Sequence, residues 1–408
     1  MTDWTPLTKC VVCGSLNLKQ YFDAGEQPLA NAFMPKATEL PRYPLGLNLC
    51  MDCGHSQNLG VVDPRLIFDE YPYVSGTSQT LRDYFSWFAA KVERDFGLKP
   101  RSPRWHGQLR ILDIASNDGS LLREFKKRGH YTLGVDPAKN IDSGDIETYR
   151  GYWTPEFVER QIGNVKFDAI IAMNVLGHVA DPVEFLQLCK KVLAPNGRIY
   201  VQTSEIFVQS TWDTVYHEHI SFFSSSSFYT LAKAVPLRVE KLDEVPIHGR
   251  SWLLELSAGE SLPEKGIPIR VALKSPIVME MFDAVQGQAS KLVDEIKIKI
   301  SESRENGKKV IGIGAPAKAM VVMNFGAINL DYIVDENPLK IGTFSPGMNI
   351  PVRSFDALCN EDGPCLFVFL AWNFAEELER KIKERRGTDR GDMCLQYFPR
   401  MKKWAIEP

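Results

Sequence analysis

Residues 109–123 read Leu-Arg-Ile-Leu-Asp-Ile-Ala-Ser-Asn-Asp-Gly-Ser-Leu-Leu-Arg. An apolar run ends in Asp113, passes through small residues at Ala115 and Ser116, and opens a helical pattern from Ser120 to Lys127. Strand, small-residue turn and helix in that order predict the first unit of a doubly wound α/β sheet, where ligands sit beyond the carboxyl ends of the strands. Small residues at the turn let the backbone approach a ligand closely.

The next strand is Tyr131 to Asp136. Asp136 lies about 20 residues past Asp113, where an acid suits the two hydroxyls of a ribose. A dinucleotide turn needs glycines and a helix N-terminus to hold pyrophosphate. Here the turn is Asp113-x-x-x-Asn117-Asp118-Gly119, and its two acids would repel phosphate while tolerating a cationic ligand that carries an amino group. Phe167 onward forms a third strand ending at Asn174, followed by a helix from Val183 to Leu193. A turn at Ala194-Pro195-Asn196-Gly197 leads into a strand from Arg198 to Gln202. The ordered set resembles the class I methyltransferases that use S-adenosylmethionine.

Toward the N-terminus, Cys10-Val-Val-Cys13-Gly and Cys50-Met-Asp-Cys53-Gly repeat one pattern. Two such knuckles supply four thiolates, which close a tetrahedral zinc shell and leave no position for substrate. The gap between them must hold a small insertion, a hairpin carrying Pro28 and Asn31. His55 reads as a surface histidine, since a fifth ligand would be surplus. The other four of the eight cysteines are scattered, and the start of the chain lacks the pattern of a signal peptide. Neither feature suggests a disulfide framework.

The densest polar run is Trp212-Asp-Thr-Val-Tyr216-His217-Glu218-His219-Ile-Ser-Phe-Phe223, just past the strand ending at Gln202. Histidine moves protons near neutrality, and a neighbouring carboxylate can orient it. A second run, Glu70 to Ser78, has the Tyr/Ser/Gly make-up of a loop that could close over a site; a third contains His248-Gly249-Arg250-Ser251.

A long helix, about 269–306, leads to a second strand–turn–helix at Lys308 to Ala319 that lacks acids. Lys318 and Lys340 flank it and are compatible with an anionic nucleotide diphosphate. The expected fold is therefore α/β throughout: a small four-cysteine zinc module at 1–70, a class I methyltransferase domain with a Rossmann-like sheet at 71–259, and a second Rossmann-like domain at 260–408.

The chain has 408 residues, 44% hydrophobic and 24% charged, with a formal net charge of −3. That balance argues against phosphate-backbone binding of nucleic acid, and no run reaches the roughly 18 apolar residues of a membrane span. A cytoplasmic protein, monomeric or a small homo-oligomer, is expected.

Four features in fixed order resemble the deoxysugar C-methyltransferase family: the paired C-x-x-C-G, the D-I-x-S-N-D-G turn, Tyr-His-Glu-His, and the G-x-G-A-P-A-K-A run with D-x-N-P-x-K-x-G behind it. The resemblance implies methylation at C3 of a dTDP- or GDP-linked 4-keto-6-deoxy sugar, with adenosylmethionine and structural zinc. It implies His219 as base with Glu218 and Tyr216 beside it. Asp113, Ala115, Asn117, Asp118, Gly119, Asp136 and Asn174 are expected at the cofactor. Tyr73, His178, His248, Arg250, Lys318 and Lys340 are expected at the substrate, and Cys10, Cys13, Cys50 and Cys53 at the metal. The family's H-G-G-S pattern has Arg250 in place of its second glycine, which leaves the sugar open. An O- or N-methyltransferase, or a zinc-ribbon binding protein on a degenerate methyltransferase fold, are the alternative readings.

Overall fold

The computed structural model describes residues 3–77, 79–98, 107–204, 212–247, 251–260, 273 and 275–407. His248 and Arg250 lie outside the described residues.

The N-terminal strands are β1 (Trp4–Pro6), β2 (Leu18–Pro28), β3 (Arg42–Cys50), β4 (Ser56–Asn58) and β5 (Gly60–Val62). β2 and β3 form the expected hairpin; Pro28 ends β2 and Asn31 sits in its connection. Leu45, Leu47 and Leu49 alternate inward and are fully buried, each stabilising the module by about 1.5–3 kcal/mol. The partner face comes from the far end of the chain. Phe22 and these leucines share a core with Trp212, Phe222 and residues of the helix Pro276–Glu305.

After the short helix α1 (Arg65–Phe68) comes α2 (Gln79–Asp95), which buries Leu81, Phe85, Phe88 and Val92 along one stripe. There follow β6 (Arg110–Ile114), α3 (Ser120–Lys127), β7 (Tyr131–Asp136), β8 (Thr148–Arg150), β9 (Phe167–Met173), α4 (Pro182–Val192) and β10 (Leu193–Ser204). Then come β11 (Ser221–Phe222), α5 (Ser225–Ala234), β12 (Leu237–Val245) and β13 (Ser251–Ala258). The central sheet has the order β12-β13-β10-β9-β6-β7-β8. It is parallel from β10 to β8, and β13 runs antiparallel to both its neighbours. Buried Ile, Leu, Val and Phe side chains cover both faces, as a parallel sheet requires. The chain order reverses beside β6, so the crevice for a ligand opens at its carboxyl end.

Two expectations change here. The turn at 194–197 is drawn into β10 as a bulge between Leu193 and Arg198. A Cβ on Gly197 would lie 2.7 Å from Leu193 Cδ1 and 3.0 Å from Asp168 O, so the close approach of β9 needs glycine. The segment after β10 also leaves its own domain, for β11 pairs antiparallel with β4 and extends the N-terminal sheet to β11-β4-β3-β2.

The last domain is built from α6 (Pro276–Glu305), β14 (Lys309–Ile313), α7 (Ala317–Gly326), β15 (Tyr332–Val334), β16 (Val352–Arg353), β17 (Cys365–Phe369), α8 (Ala375–Arg386), β18 (Met393–Gln396) and β19 (Lys402–Ala405). Its sheet order is β16-β15-β14-β17-β18-β19, parallel except for β19. The order reverses at β14, and the loops after β14 and β17 meet there.

Candidate active site

The four thiols of the two knuckles converge, all within 4.8 Å of one another. Cys10 Sγ and Cys53 Sγ are 3.6 Å apart, as are Cys13 Sγ and Cys50 Sγ. Thiolates about 2.3 Å from one zinc ion stand about 3.8 Å apart at tetrahedral angles, so the donor set fits zinc and leaves no open position. The fifth candidate is placed differently from expectation. His55 is fully buried, its Nε2 is 3.1 Å from Ser221 Oγ and its ring is 4.8 Å from that of Phe223. β11 covers it, a contact across 166 residues that spacing does not reveal.

A cavity of about 1190 Å³ joins the carboxyl ends of the two parallel sheets. It exceeds the roughly 300–1,000 Å³ of a site for one small ligand. On the side of the central sheet its wall is the turn after β6. Ala115, Asn117 and Asn174 have positive φ of 59°, 51° and 56°. Strained backbone of this kind gathers at ligand sites.

Asp136 accepts from the backbone N–H of Asn117 and of Ala138, both at 2.8 Å. Asp113 is buried, and burial together with the Asp136 charge holds its carboxyl well above the usual range. Arg150 stands 3.8 Å from Asp136 Oδ1. Gln202 Oε1, also buried, has no partner among the described residues. Two crowded carboxyls and an orphan carbonyl facing one cavity suit a cationic ligand with donors, which is what adenosylmethionine offers.

Asp118 faces another task. It accepts from Gly76 N at 3.0 Å and from Ser120 N and Oγ, tying the 70–77 loop to the start of α3. Asn117 Oδ1 accepts from Ser75 N, and its Nδ2 donates to Tyr73 O. The loop thus lies over the turn, as its composition predicts. Gly119 does not line the cavity; its Cα faces Ile146, and its φ of +75° starts α3.

The Tyr-His-Glu-His run lies across the cavity. His219 Nδ1 is 2.7 Å from Thr214 O, and a carbonyl can only accept, so Nδ1 carries the proton. Nε2 then accepts from Tyr216 OH at 2.9 Å. His178, held by burial well below its ordinary range, has its ring 5.0 Å from that of His219. It is placed by Gly177, where a Cβ would lie 3.1 Å from Thr203 Oγ1 and 3.2 Å from Ser221 O. His217 turns to the N-terminal module, its Nε2 donating to Tyr43 O.

Glu218 is 4% exposed, and burial raises its carboxyl to about 7. Oε1 accepts from Asn31 Nδ2 at 2.5 Å and Oε2 from Tyr71 OH at 3.1 Å. The sequence places Asn31 in the hairpin between the cysteine pairs and Tyr71 in the run Glu70 to Ser78, but it connects neither to Glu218, because both are remote from it in sequence. The one available signal for Tyr71 is its place in the Tyr-Pro-Tyr run.

At the other end of the cavity stand the loops after β14 and β17. Lys318 Nζ lies 3.7 Å from the centre of the Trp372 ring and bonds Asn373 Oδ1 at 3.1 Å. Trp372 Nε1 in turn donates to the buried Asp213 at 2.7 Å. Lys340 is buried, donates to Ala315 O at 2.8 Å and lies 4.7 Å from the centre of the Phe33 ring. Burial lowers the pKa of both lysines. Tyr73 lines the cavity between the two ends.

Three family models match successive parts of the chain. Residues 10–68 match a zinc binding domain family, 79–242 a methyltransferase domain, and 277–396 the C-methyltransferase C-terminal domain. The C-methyltransferase NovU of Streptomyces niveus is 26% identical, with 93% of each chain covered. A ubiquinone biosynthesis O-methyltransferase from a Bradyrhizobium species is 33% identical over 115 residues, 27% of this chain and 46% of its own. Among solved structures, magnesium protoporphyrin IX methyltransferase of Synechocystis with bound SAM aligns at 13% identity and a TM-score of 0.33, over 44% of this chain and 79% of its own.

Proposed function

We propose that this chain, an S-adenosylmethionine-dependent C-methyltransferase, places the methyl group on C3 of a nucleotide-linked 4-keto-6-deoxy sugar by way of an enolate. The observation that carries this reading is the oriented Tyr216–His219 pair, set in a cavity large enough for two ligands that joins two sheet ends. Adenosylmethionine, held by Asp113, Ala115, Asn117, Asp136 and Asn174, supplies an electrophilic methyl on cationic sulfur, which a carbanion takes without its bonding pair. The sugar lies between Tyr73 and His178, with its diphosphate toward Lys318 and Lys340.

The C4 ketone acidifies the proton at C3. As the sugar enters, it displaces the Tyr216 hydroxyl from His219 Nε2. That nitrogen takes the C3 proton, and the C–H electron pair passes into the ketone to form the enolate. The released Tyr216 hydroxyl donates to the developing oxyanion at C4. Thr214 O accepts from Nδ1–H throughout, so the ring keeps its tautomer and its positive charge is supported. What the protein adds beyond this is placement of carbon and methyl within attack distance.

Turnover with adenosylmethionine labelled with carbon-13 in the methyl group tests the assignment. The product methyl is expected to resonate as a carbon-bound group on a quaternary or tertiary carbon. An oxygen- or nitrogen-bound methyl would overturn it.

A further inference from the structure

Among the described residues, Glu218 is the one buried carboxyl of the cavity held by side chains from two other parts of the fold. Asn31 reaches it from the connection after β2, in the N-terminal module. That connection is itself fixed, since Met34 and Phe344 of the last domain exchange backbone bonds in both directions. Tyr71 reaches it from the loop before α2 and is clamped by Asn140, which accepts from Tyr71 N and donates to Tyr71 O, each at 2.9 Å.

An amide NH₂ can only donate, so its bond to Glu218 Oε1 is stronger when the carboxyl is ionised. Behind the carboxylate lies a second, smaller cavity of about 180 Å³, bounded by Asn31, His217, Glu218 and Glu70. The other groups that face Glu218 are Lys340 from the last domain, which favours its charge, and Tyr216. His217 and His219 flank it in sequence.

We propose that Asn31 and Tyr71 are positioning residues of the methyl transfer, holding Glu218 ionised and aimed into the cavity, so that the metal-stapled N-terminal module is part of the active site. The proposal rests on the methyltransferase reading above. It differs from a purely architectural role for that module in one respect: it acts through a single carboxylate.

Asn31→Ala, the isosteric Asn31→Asp and Tyr71→Phe are made alone and in a Glu218→Gln background. Three readouts are taken: kcat and KM against pH, binding of S-adenosylhomocysteine by calorimetry, and the Glu218 carboxyl by difference infrared titration against Glu218→Gln. Each single change is expected to lower kcat on the order of tenfold, the loss of one hydrogen bond to a charged group. The carboxyl titration, and the acid limb of kcat with it, should move up by about one unit. S-adenosylhomocysteine affinity should be unchanged. In the Glu218→Gln background the same changes should have little further effect, because residues acting through one group are not additive. Wild-type kcat and an unmoved carboxyl titration in Asn31→Ala and Asn31→Asp would overturn the proposal. So would losses that add fully to that of Glu218→Gln. The infrared titration needs no sugar, so a wrong substrate assignment leaves the proposal decidable: inactivity of the wild type on keto-sugars, with the carboxyl still shifted in the variants, would refute only the substrate reading.

Discussion

Glu218 stores a conflict between stability and function. Its carboxyl titrates near 7 in the fold, raised by burial from an ordinary value near 4.5. A raised folded-state value means that the fold holds a proton which the unfolded chain has released. Glu218 is therefore no burden below about pH 4.5, and it costs stability increasingly as the pH rises through 7. Glu218→Gln is expected to raise stability at pH 8 by at most a few kcal/mol, and the melting temperature with it, with little change at pH 4.5, while turnover falls. Thermal melts at the two pH values check this; an unchanged or lower melting temperature at pH 8 would show that the carboxylate is fully compensated. The positions of Asp113, Asp136 and the Tyr-His-Glu-His run are legible in the sequence because chemistry and local order coincide there. Asn31 is not, because its partner is 187 residues away and an asparagine in a connection carries no periodic signal.

At the scale of elements, the turn after β6 depends on how closely β7 passes it. A Cβ on Gly134 would lie 2.4 Å from Ser116 Oγ and 2.9 Å from Thr148 Oγ1. Gly134→Ala is expected to destabilise the protein by about 1–3 kcal/mol and to weaken S-adenosylhomocysteine binding severalfold, by pushing the 115–117 turn into the cavity. Denaturant melts and calorimetry check both. The bounds of β6, α3 and β7 follow from the sequence since small residues and apolar runs punctuate them. β11 does not, as its two residues are strand only by pairing with β4. The zinc knuckles are legible for the opposite reason: their constraint is local. Their sulfurs share a core with Phe223 and Phe228 of the methyltransferase domain, so stripping the metal should do more than unfold a tail. A chelator is expected to lower the melting temperature of the whole chain, and mass spectrometry should find one zinc per chain beforehand. A melt indifferent to the chelator, in a protein shown to have lost its metal, would contradict this.

The whole molecule is three modules closed around one cavity, with the N-terminal module packed on the last domain through Phe22 and Leu47. Closure buries imidazoles. His217 is lowered to about 4 and His178 well below its ordinary value, both chiefly by burial. The unfolded chain takes up these protons near pH 6.5, whereas the fold resists them until far lower. Stability should therefore fall as the pH drops below about 6.5. Urea melts from pH 8 to pH 5 check this, and His217→Gln is expected to flatten the slope. The doubly wound sheets are readable from alternating strands and helices. How the modules face one another is not, because that depends on side chains such as His55, Trp212 and Trp372, whose partners come from other domains.

The central claim is that His219 takes a proton from carbon. Purified protein is incubated with a nucleotide-linked 4-keto-6-deoxy sugar in deuterium oxide, with and without adenosylmethionine, and C3 is followed by NMR and mass. The account predicts deuterium at C3 without the methyl donor, a methyl-sized mass gain with it, and loss of both in His219→Ala. Methyl transfer with no exchange at C3, or exchange that survives His219→Ala, would contradict it.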